Sequence, residues 1–506
     1  MKVGCVQLQA RNLPEYPEAA QDVYAAIRQY GLSHDLLVFP ECAYPGYFLY
    51  PESLREEALL GAPAFVAEVA RLALVYDTYV AVGVAECGLD GELRNNLVFI
   101  DRKGTILARA PKQHLWHFDT EWFREGDNTV VVDTEYGPMG LVVCADARLP
   151  EIIRDATLKG ARLIIDCANL TAQGRELSEV SNAQVDYLLA VRAFENGVWL
   201  IMADKWGIEG NFATYAGHSS IYTPQGNAVV AAPAVGNVVI SYEIPLIRGM
   251  IDEAPRDAAM ARRTLLDTSE LHNPRPDVIG KLDDPVRIGA MVPFVSVVAG
   301  TSSVDPDAYV RLMQRLWHTE TDLICWPPMS ERHFSTLTKL EKIPEQVVSL
   351  ATVRTARGLD VYYQEGGATW ELMTTRASIL HMHWGSLGII RDEDIQIPEI
   401  ARQLMLHGVD MIYWPHIART SLDLDLARSR ALENRVFVCA VSDSPENVMA
   451  ASYIIDPSGG IAARTLLGES LHVAQMLVPC ALARIKEVVP GTNVLSGRRP
   501  GRYTTL

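Results

Sequence analysis

Short apolar runs of strand length alternate with amphipathic helical patterns along the whole chain, and the alternation occurs twice. Near the front, the helical pattern of "EYPEAAQDVYAAIRQYG" (15–31) leads into "DLLVFPE" (35–41). Far downstream, "DPDAYVRLMQRLWH" (305–318) leads into "DLICWPP" (322–328) in the same way. The stretches "GLVVCADARLPE" (140–151) and "GIIRDEDIQIPE" (388–399) each predict a buried strand, a turn, and a helix with proline at its first position. Superimposing these two sets Gly137 on Gly385, Gly140 on Gly388, Pro150 on Pro398, Glu151 on Glu399, Arg154 on Arg402 and Gly160 on Gly408. Downstream, "RAFEN" (192–196) is answered by "RALEN" (430–434), and "SIYTPQGNAVVAA" by "YIIDPSGGIAART".

Helices alternating with β-branched runs predict an α/β domain, and the repetition predicts two of them. The expected boundaries are a first domain over 1–250, a charged and proline-bearing linker over 251–285, and a second domain over 286–506. The offset between the copies falls from 287 residues at position 35 to 248 at position 144, so the second copy is about 39 residues shorter. The missing part is expected within 81–128, including "LARAPKQHLW". The longest apolar run, "AVVAAPAVGNVVISYEIPL", is broken by Pro, Gly, Asn and Glu and predicts two strands and a turn rather than a membrane span.

Composition narrows the function classes. A chain of 506 residues with 49% hydrophobic and 21% charged residues is of globular type. A net charge of −17 argues against nucleic acid and against an anionic membrane surface as partners. The eight cysteines form no CxxC pair and no Cys/His cluster, so no metal site is expected. Several lie in apolar runs, as small buried hydrophobes do in a reducing compartment. The N-terminus turns polar too early for a signal peptide, and a cytoplasmic location is expected.

Three residues could carry chemistry. Cys144 ends an apolar strand and precedes a helix start, whose free N–H groups and dipole favour thiolate. An unperturbed thiol, with a pKa of about 8.5, still needs a base at neutral pH. Glu41 follows directly on a strand of buried type, where desolvation raises a carboxylate towards the working range of a general base. Lys112, after the strand-like "ILARAP", would supply a fixed positive charge to an oxyanion. Taken singly, each has an ordinary reading: a buried strand-end thiol, a carboxylate that reaches solvent, a surface lysine.

Taken in order, FPE, then K-x-H-L, then C-x-D-x-R-x-P-E resembles the nitrilase superfamily of carbon–nitrogen hydrolases. "CADARLPE" is similar to its amidase-type cysteine motif, and the Trp-Glu that usually follows the cysteine in the nitrile-cleaving branch is missing. "RAFEN", "ADKWGIEGN" and "SSIYTPQGN" fit later blocks of the family. The resemblance implies a Glu41–Lys112–Cys144 triad and an oxyanion held by Lys112 and the N–H of Ala145. It implies no cofactor, and as partner a small amide or N-carbamoyl substrate cleaved through a thioester. Nitrile hydrolysis and N-acyl transfer remain open as alternatives, and outside catalysis a scaffold role. The family often adds a second glutamate after the lysine; in "HFDTEWFREGD" Glu121 is the first choice and Asp119 the alternative.

The implied fold is a tandem of αββα sandwiches. In the second copy Pro328 stands in place of Glu41, Asp392 in place of Cys144, and the lysine segment is missing. The expected role of that copy is a built-in partner in an intramolecular pseudo-dimer. A competing expectation is that Asp392, His381, His383 and His416 line a pocket that binds a ligand.

Overall fold

The computed structural model describes the chain apart from residues 212, 247–253, 264–265, 267–270, 272–291, 302, 341–342, 357, 374–376, 445–450, 468–469 and 504–506. It divides into two compact units, the first of residues 1–267 and 489–506, the second of 268–488. The chain therefore leaves the first unit, builds the second, and returns to the first for its last 18 residues. Sequence periodicity assigned that tail to the second domain. Most of the expected linker lies outside the described residues, but Ala254–Ala261 within it forms a helix that belongs to the first unit.

In the first unit the strands are β1 (Lys2–Gln9), β2 (Leu36–Val38), β3 (Tyr79–Cys87), β4 (Leu93–Ile100), β5 (Ile106–Pro111), β6 (Val130–Thr134) and β7 (Gly137–Val143). They continue with β8 (Leu163–Cys167), β9 (Trp199–Ala203), β10 (Lys205–Glu209), β11 (Ala213–Ala216), β12 (Ser220–Tyr222), β13 (Ala228–Ala231) and β14 (Val238–Glu243). One mixed sheet runs β11-β10-β1-β2-β3-β4-β5 with β14 also on β1, and a second runs β13-β12-β9-β8-β7-β6. Strands β13 and β14 are the two expected from the apolar run near residue 230, yet they join different sheets.

The inner faces of both sheets, Val3, Cys5 and Val38 against Leu141, Val143 and Ile165, form one core. The helices Tyr16–Tyr30 and Ala62–Val75 cover the outside of the first sheet through Val23, Ile27, Phe65 and Val69. Helices Pro150–Leu158 and Leu189–Asn196 cover the second through Ile152, Ala156, Leu189 and Ala193. The layers are thus helix, sheet, sheet, helix. Among the described residues no single helix is long and apolar enough to cross a membrane.

The second unit has β15 (Phe294–Thr301), β16 (Leu323–Met329), β17 (Val348–Thr355), β18 (Gly358–Glu365), β19 (Glu371–Leu372), β20 (Ala377–Met382) and β21 (Gly385–Ile390). Then follow β22 (Met411–Ile417), β23 (Phe437–Ser444), β24 (Tyr453–Ile455), β25 (Ile461–Arg464) and β26 (His472–Leu477). The run β26-β15-β16-β17-β18 has the same sequence of parallel and antiparallel pairings as β14-β1-β2-β3-β4. The run β20 to β25 likewise follows β6-β7-β8-β9-β12-β13. The shortening is distributed differently from the expectation. Residues 39–78 link β2 to β3, whereas the shorter 330–347 links β16 to β17, so part of the loss precedes residue 81.

The repeated "R-A-x-E-N" motif has one structural task in both units. Arg192 is fully buried, donating from Nε to the carbonyl of Ala147 (2.8 Å) and from Nη1 to Glu195 (2.7 Å), while Asn196 donates to the carbonyl of Arg192. Arg430 donates in the same manner to Ile395 O (2.8 Å) and Glu433 (2.5 Å), with Asn434 on the carbonyl of Arg430. Each buried ion pair clamps the turn that begins at residue 144 or 392. Replacing one member of a buried pair leaves the other charge without its partner. Arg192→Met is expected to destabilise the first unit by about 3–5 kcal/mol, read as an earlier urea transition, and Arg192→Met/Glu195→Leu to recover part of it.

Candidate active site

The first sheet delivers two of the candidate groups at strand ends. Glu41 follows β2, and its N–H donates to the carbonyl of Ala168. The chain at 40–42 passes so close to β3 that a Cβ on Gly83 would lie 2.4 Å from Pro40 O and 2.5 Å from Glu41 Cα. Glycine is required there to bring the carboxylate in. Lys112 follows β5, its N–H on Asn95 O and its carbonyl accepting from Gly126. The second sheet delivers Cys144, which follows β7 and adopts left-handed backbone (φ 53°). Its N–H donates to Asp166 Oδ1 (2.7 Å) and its carbonyl accepts from Gln184 Nε2 (3.0 Å).

The side chains of Glu41, Lys112 and Asp119 are essentially without solvent contact, at 0%, 1% and 0% exposure. Lys112 Nζ lies 2.7 Å from Glu41 Oε1 and 2.7 Å from Asp119 Oδ2. Asn95 Nδ2 donates to the same Oε1 at 2.6 Å, while Glu41 Oε2 finds no hydrogen-bond partner among the described residues. Burial raises the Glu41 pKa, Lys112 opposes that, and Asp119 adds to it. For Lys112, burial favours the neutral amine, but the carboxylates of Asp119 and Glu41 hold the ammonium far into the charged state. Cys144 sits in the same field. Burial and then the Glu41 charge push its thiol up, and Lys112 pulls it down.

Cys144 does not stand at the N-terminus of an α-helix, contrary to the sequence expectation. Cys144 begins a 3-10 turn (Cys144–Arg148), and the α-helix starts only at Pro150. Asp166 takes the Cys144 N–H, and Asp146 Oδ2 takes that of Val143. Burial and the Glu41 charge outweigh the opposing pull of Lys112, so the thiol is held well above its ordinary value and rests protonated.

Glu121 is also corrected. It is exposed and hydrogen-bonded by the hydroxyl of Tyr50, whereas Asp119, the alternative, occupies the place beside Lys112. Asp119 opens the one-turn helix Asp119–Trp122, and its Oδ2 also accepts from Trp116 N (2.7 Å), which turns the carboxylate inward. Two positions along that turn, Glu121 points elsewhere. Ala145 is buried within the 3-10 turn beside the cysteine. Asn95 and Asp166 also belong to the site, and a polar residue in "NNLVF" and a carboxylate in "LIID" carry the same sequence signal as Glu41.

In the second unit Pro328 remains within β16, paired with Thr352. Asp392 keeps left-handed backbone (φ 33°) but is held in a bidentate pair by Arg419 at 2.7 and 2.6 Å. His416 is buried, stacked on Trp414 at 3.8 Å, and lines a cavity of about 420 Å³ together with Arg419 and Thr420. His381 and His383 are exposed on other segments and do not line it, so the four residues are not one cluster.

A family model described as carbon–nitrogen hydrolase matches residues 2–250. A hydrolase from the pqqF 5′ region of Pseudomonas protegens is 30% identical over 201 residues, covering 39% of this chain and 67% of that one. An omega-amidase of Xenopus laevis is 27% identical over 224 residues, covering 42% of this chain and 76% of that one. The crystal structure of an amidase from Nesterenkonia sp. shares 24% identity, spans 48% of this chain and 90% of that chain, and gives a TM-score of 0.43. Through residues 2–250, the chain belongs to the carbon–nitrogen hydrolase family.

Proposed function

We propose that the first unit is a cysteine hydrolase of a non-peptide C–N bond in a small amide or N-carbamoyl compound. The observation that carries this reading is an ammonium buried between two carboxylates, in the electrostatic field of a buried thiol. Glu41, with one oxygen engaged by Lys112 and Asn95 and the other without a partner among the described residues, takes the Cys144 proton as Sγ attacks the carbonyl carbon. The Lys112 ammonium and the N–H of Ala145 hold the oxyanion. Collapse breaks the C–N bond, and Glu41 returns the proton to the leaving ammonia or amine. Water then gives a proton to Glu41 and attacks the thioester, and the released thiol takes that proton back. Net, one amide and one water become an acid and an amine. Asp119 keeps the lysine charged and aimed.

The second unit, on this reading, is a degenerate copy of the first and acts as its built-in partner. The shared strand pairing, the repeated arginine clamp and the shared left-handed turn support common descent. Pro328 and the Arg419-bound Asp392 stand at the positions that correspond to the base and the nucleophile of the first unit.

Ammonia or amine release from a panel of amides, N-carbamoyl compounds and nitriles is expected from the wild type and not from Cys144→Ala. Equal release by both would overturn the reading. Asp119→Asn should lower kcat/KM by about 10²-fold or more, because it removes charge from beside the lysine, while Glu121→Gln stays within about threefold. Equal effects would return the role to Glu121. Since Glu41 must be deprotonated and burial raises its pKa, kcat/KM is expected to fall as pH decreases, with a midpoint above the ordinary glutamate range. A midpoint at or below that range would remove Glu41 as the base.

A further inference from the structure

Residues 489–503, which the chain contributes after completing the second unit, pack on the segment that carries Lys112 and Asp119. Thr492, 1% exposed, accepts from the backbone N–H of His117 at 2.8 Å. Gly497 lies against His114 so closely that a Cβ would stand 2.4 Å from its Cε1. The adjacent Arg498, its side chain without solvent contact, donates from Nε to Glu151 at 2.8 Å. Arg499 pairs with Glu125, and Arg502 with Asp127 and the carbonyl of Gly126. Tyr503 is 2% exposed within the core of the first unit and anchors the end.

These contacts join two things that must hold register. His114 and Gln113, next to Lys112, donate their N–H groups to Asp146 Oδ1 beside the cysteine turn. Glu151 lies in the first turn of the helix after that turn. The tail thus grips the lysine segment through Thr492 and Gly497, and the cysteine helix through Arg498. Exposed ion pairs such as Arg502–Asp127 add little to stability, but a buried Arg–carboxylate contact is specific in geometry.

We infer that the C-terminal tail is a positioning strap, in which Thr492 and Arg498 hold the 112–127 segment against the cysteine turn so that Lys112 and Asp119 keep their places. The inference rests on the hydrolase reading above. It also gives the second unit a task that needs no chemistry of its own: delivering these residues to the first.

The test uses the full chain. Thr492→Val removes the acceptor at constant shape and Thr492→Ser restores it; Arg498→Met and Arg498→Lys form a second pair. Activity on the hydrolysed amide is measured with hydrogen exchange of peptides from 112–127 and the thermal midpoint. Thr492→Val is expected to lower kcat about tenfold or more with KM little changed, as a displaced catalytic group does. Exchange in 112–127 should quicken at an unchanged midpoint, and Thr492→Ser should recover both. Wild-type kcat and wild-type exchange in Thr492→Val and Arg498→Met would overturn the strap. Should Arg498→Met not fold, the Thr492 pair decides. If the wild type hydrolyses nothing, the hydrolase reading fails on its own. Exchange then decides: quickened 112–127 supports the strap, and unchanged protection rejects it.

Discussion

Everything around the site is organised by one burial: the Lys112 ammonium, withdrawn from water and closed between Glu41 and Asp119. Desolvating a cation costs several kcal/mol unless the surrounding groups replace its hydration, and two carboxylates within hydrogen-bond distance do so. Burial first, and the neighbouring negative charge after it, draws Glu41 towards its protonated form and holds the nearby thiol protonated. A carboxylate ready to accept a proton, a thiol able to give one and a permanent cation are produced together by the one constraint. The hydrolase chemistry proposed for the first unit uses each of these consequences.

The constraint has to be met from three distant parts of the chain, and much of the fold serves to meet it. Strand β2 and the bare face of Gly83 bring Glu41 inward, Lys112 follows directly on strand β5, and the left-handed Cys144 follows β7 in the facing sheet. The buried arginine of "RAFEN" ties the cysteine turn to the neighbouring helix through Ala147 O. Asp146 then ties that turn to the backbone after Lys112. In the second unit an arginine clamp and a left-handed turn also occur at Asp392, whose carboxylate is engaged by Arg419. Clamp and turn thus occur together at both Cys144 and Asp392.

Much of this was legible in one dimension. The alternation of strand and helix patterns located both α/β units, because periodicity reports which face of an element is buried. Gly140, Pro150 and Arg154 recur at Gly388, Pro398 and Arg402, and the strand pairings around the two stretches run in the same order. The triad candidates stood out because a carboxylate, a lysine and a thiol at the ends of apolar runs need partners. The middle of the second copy was placed less well, since an offset counts residues lost but does not say from which connection.

By itself, then, the sequence determined the α/β character of the first unit and the positions of Glu41, Lys112 and Cys144 just past its strands, all of which follow from local periodicity and the cost of burying polar groups. The tertiary structure alone decided that Asp119 rather than Glu121 meets the lysine, because a single helical turn and one hydrogen bond from Trp116 set which carboxylate points inward. It alone decided that Cys144 is a buried thiol beside a lysine rather than a group at a helix end. It alone returned residues 489–506 to the first unit, where Arg498 meets Glu151. The physical reason is common to all three. Which charge faces which is a matter of distance in space between segments far apart in the chain, and no periodicity encodes it.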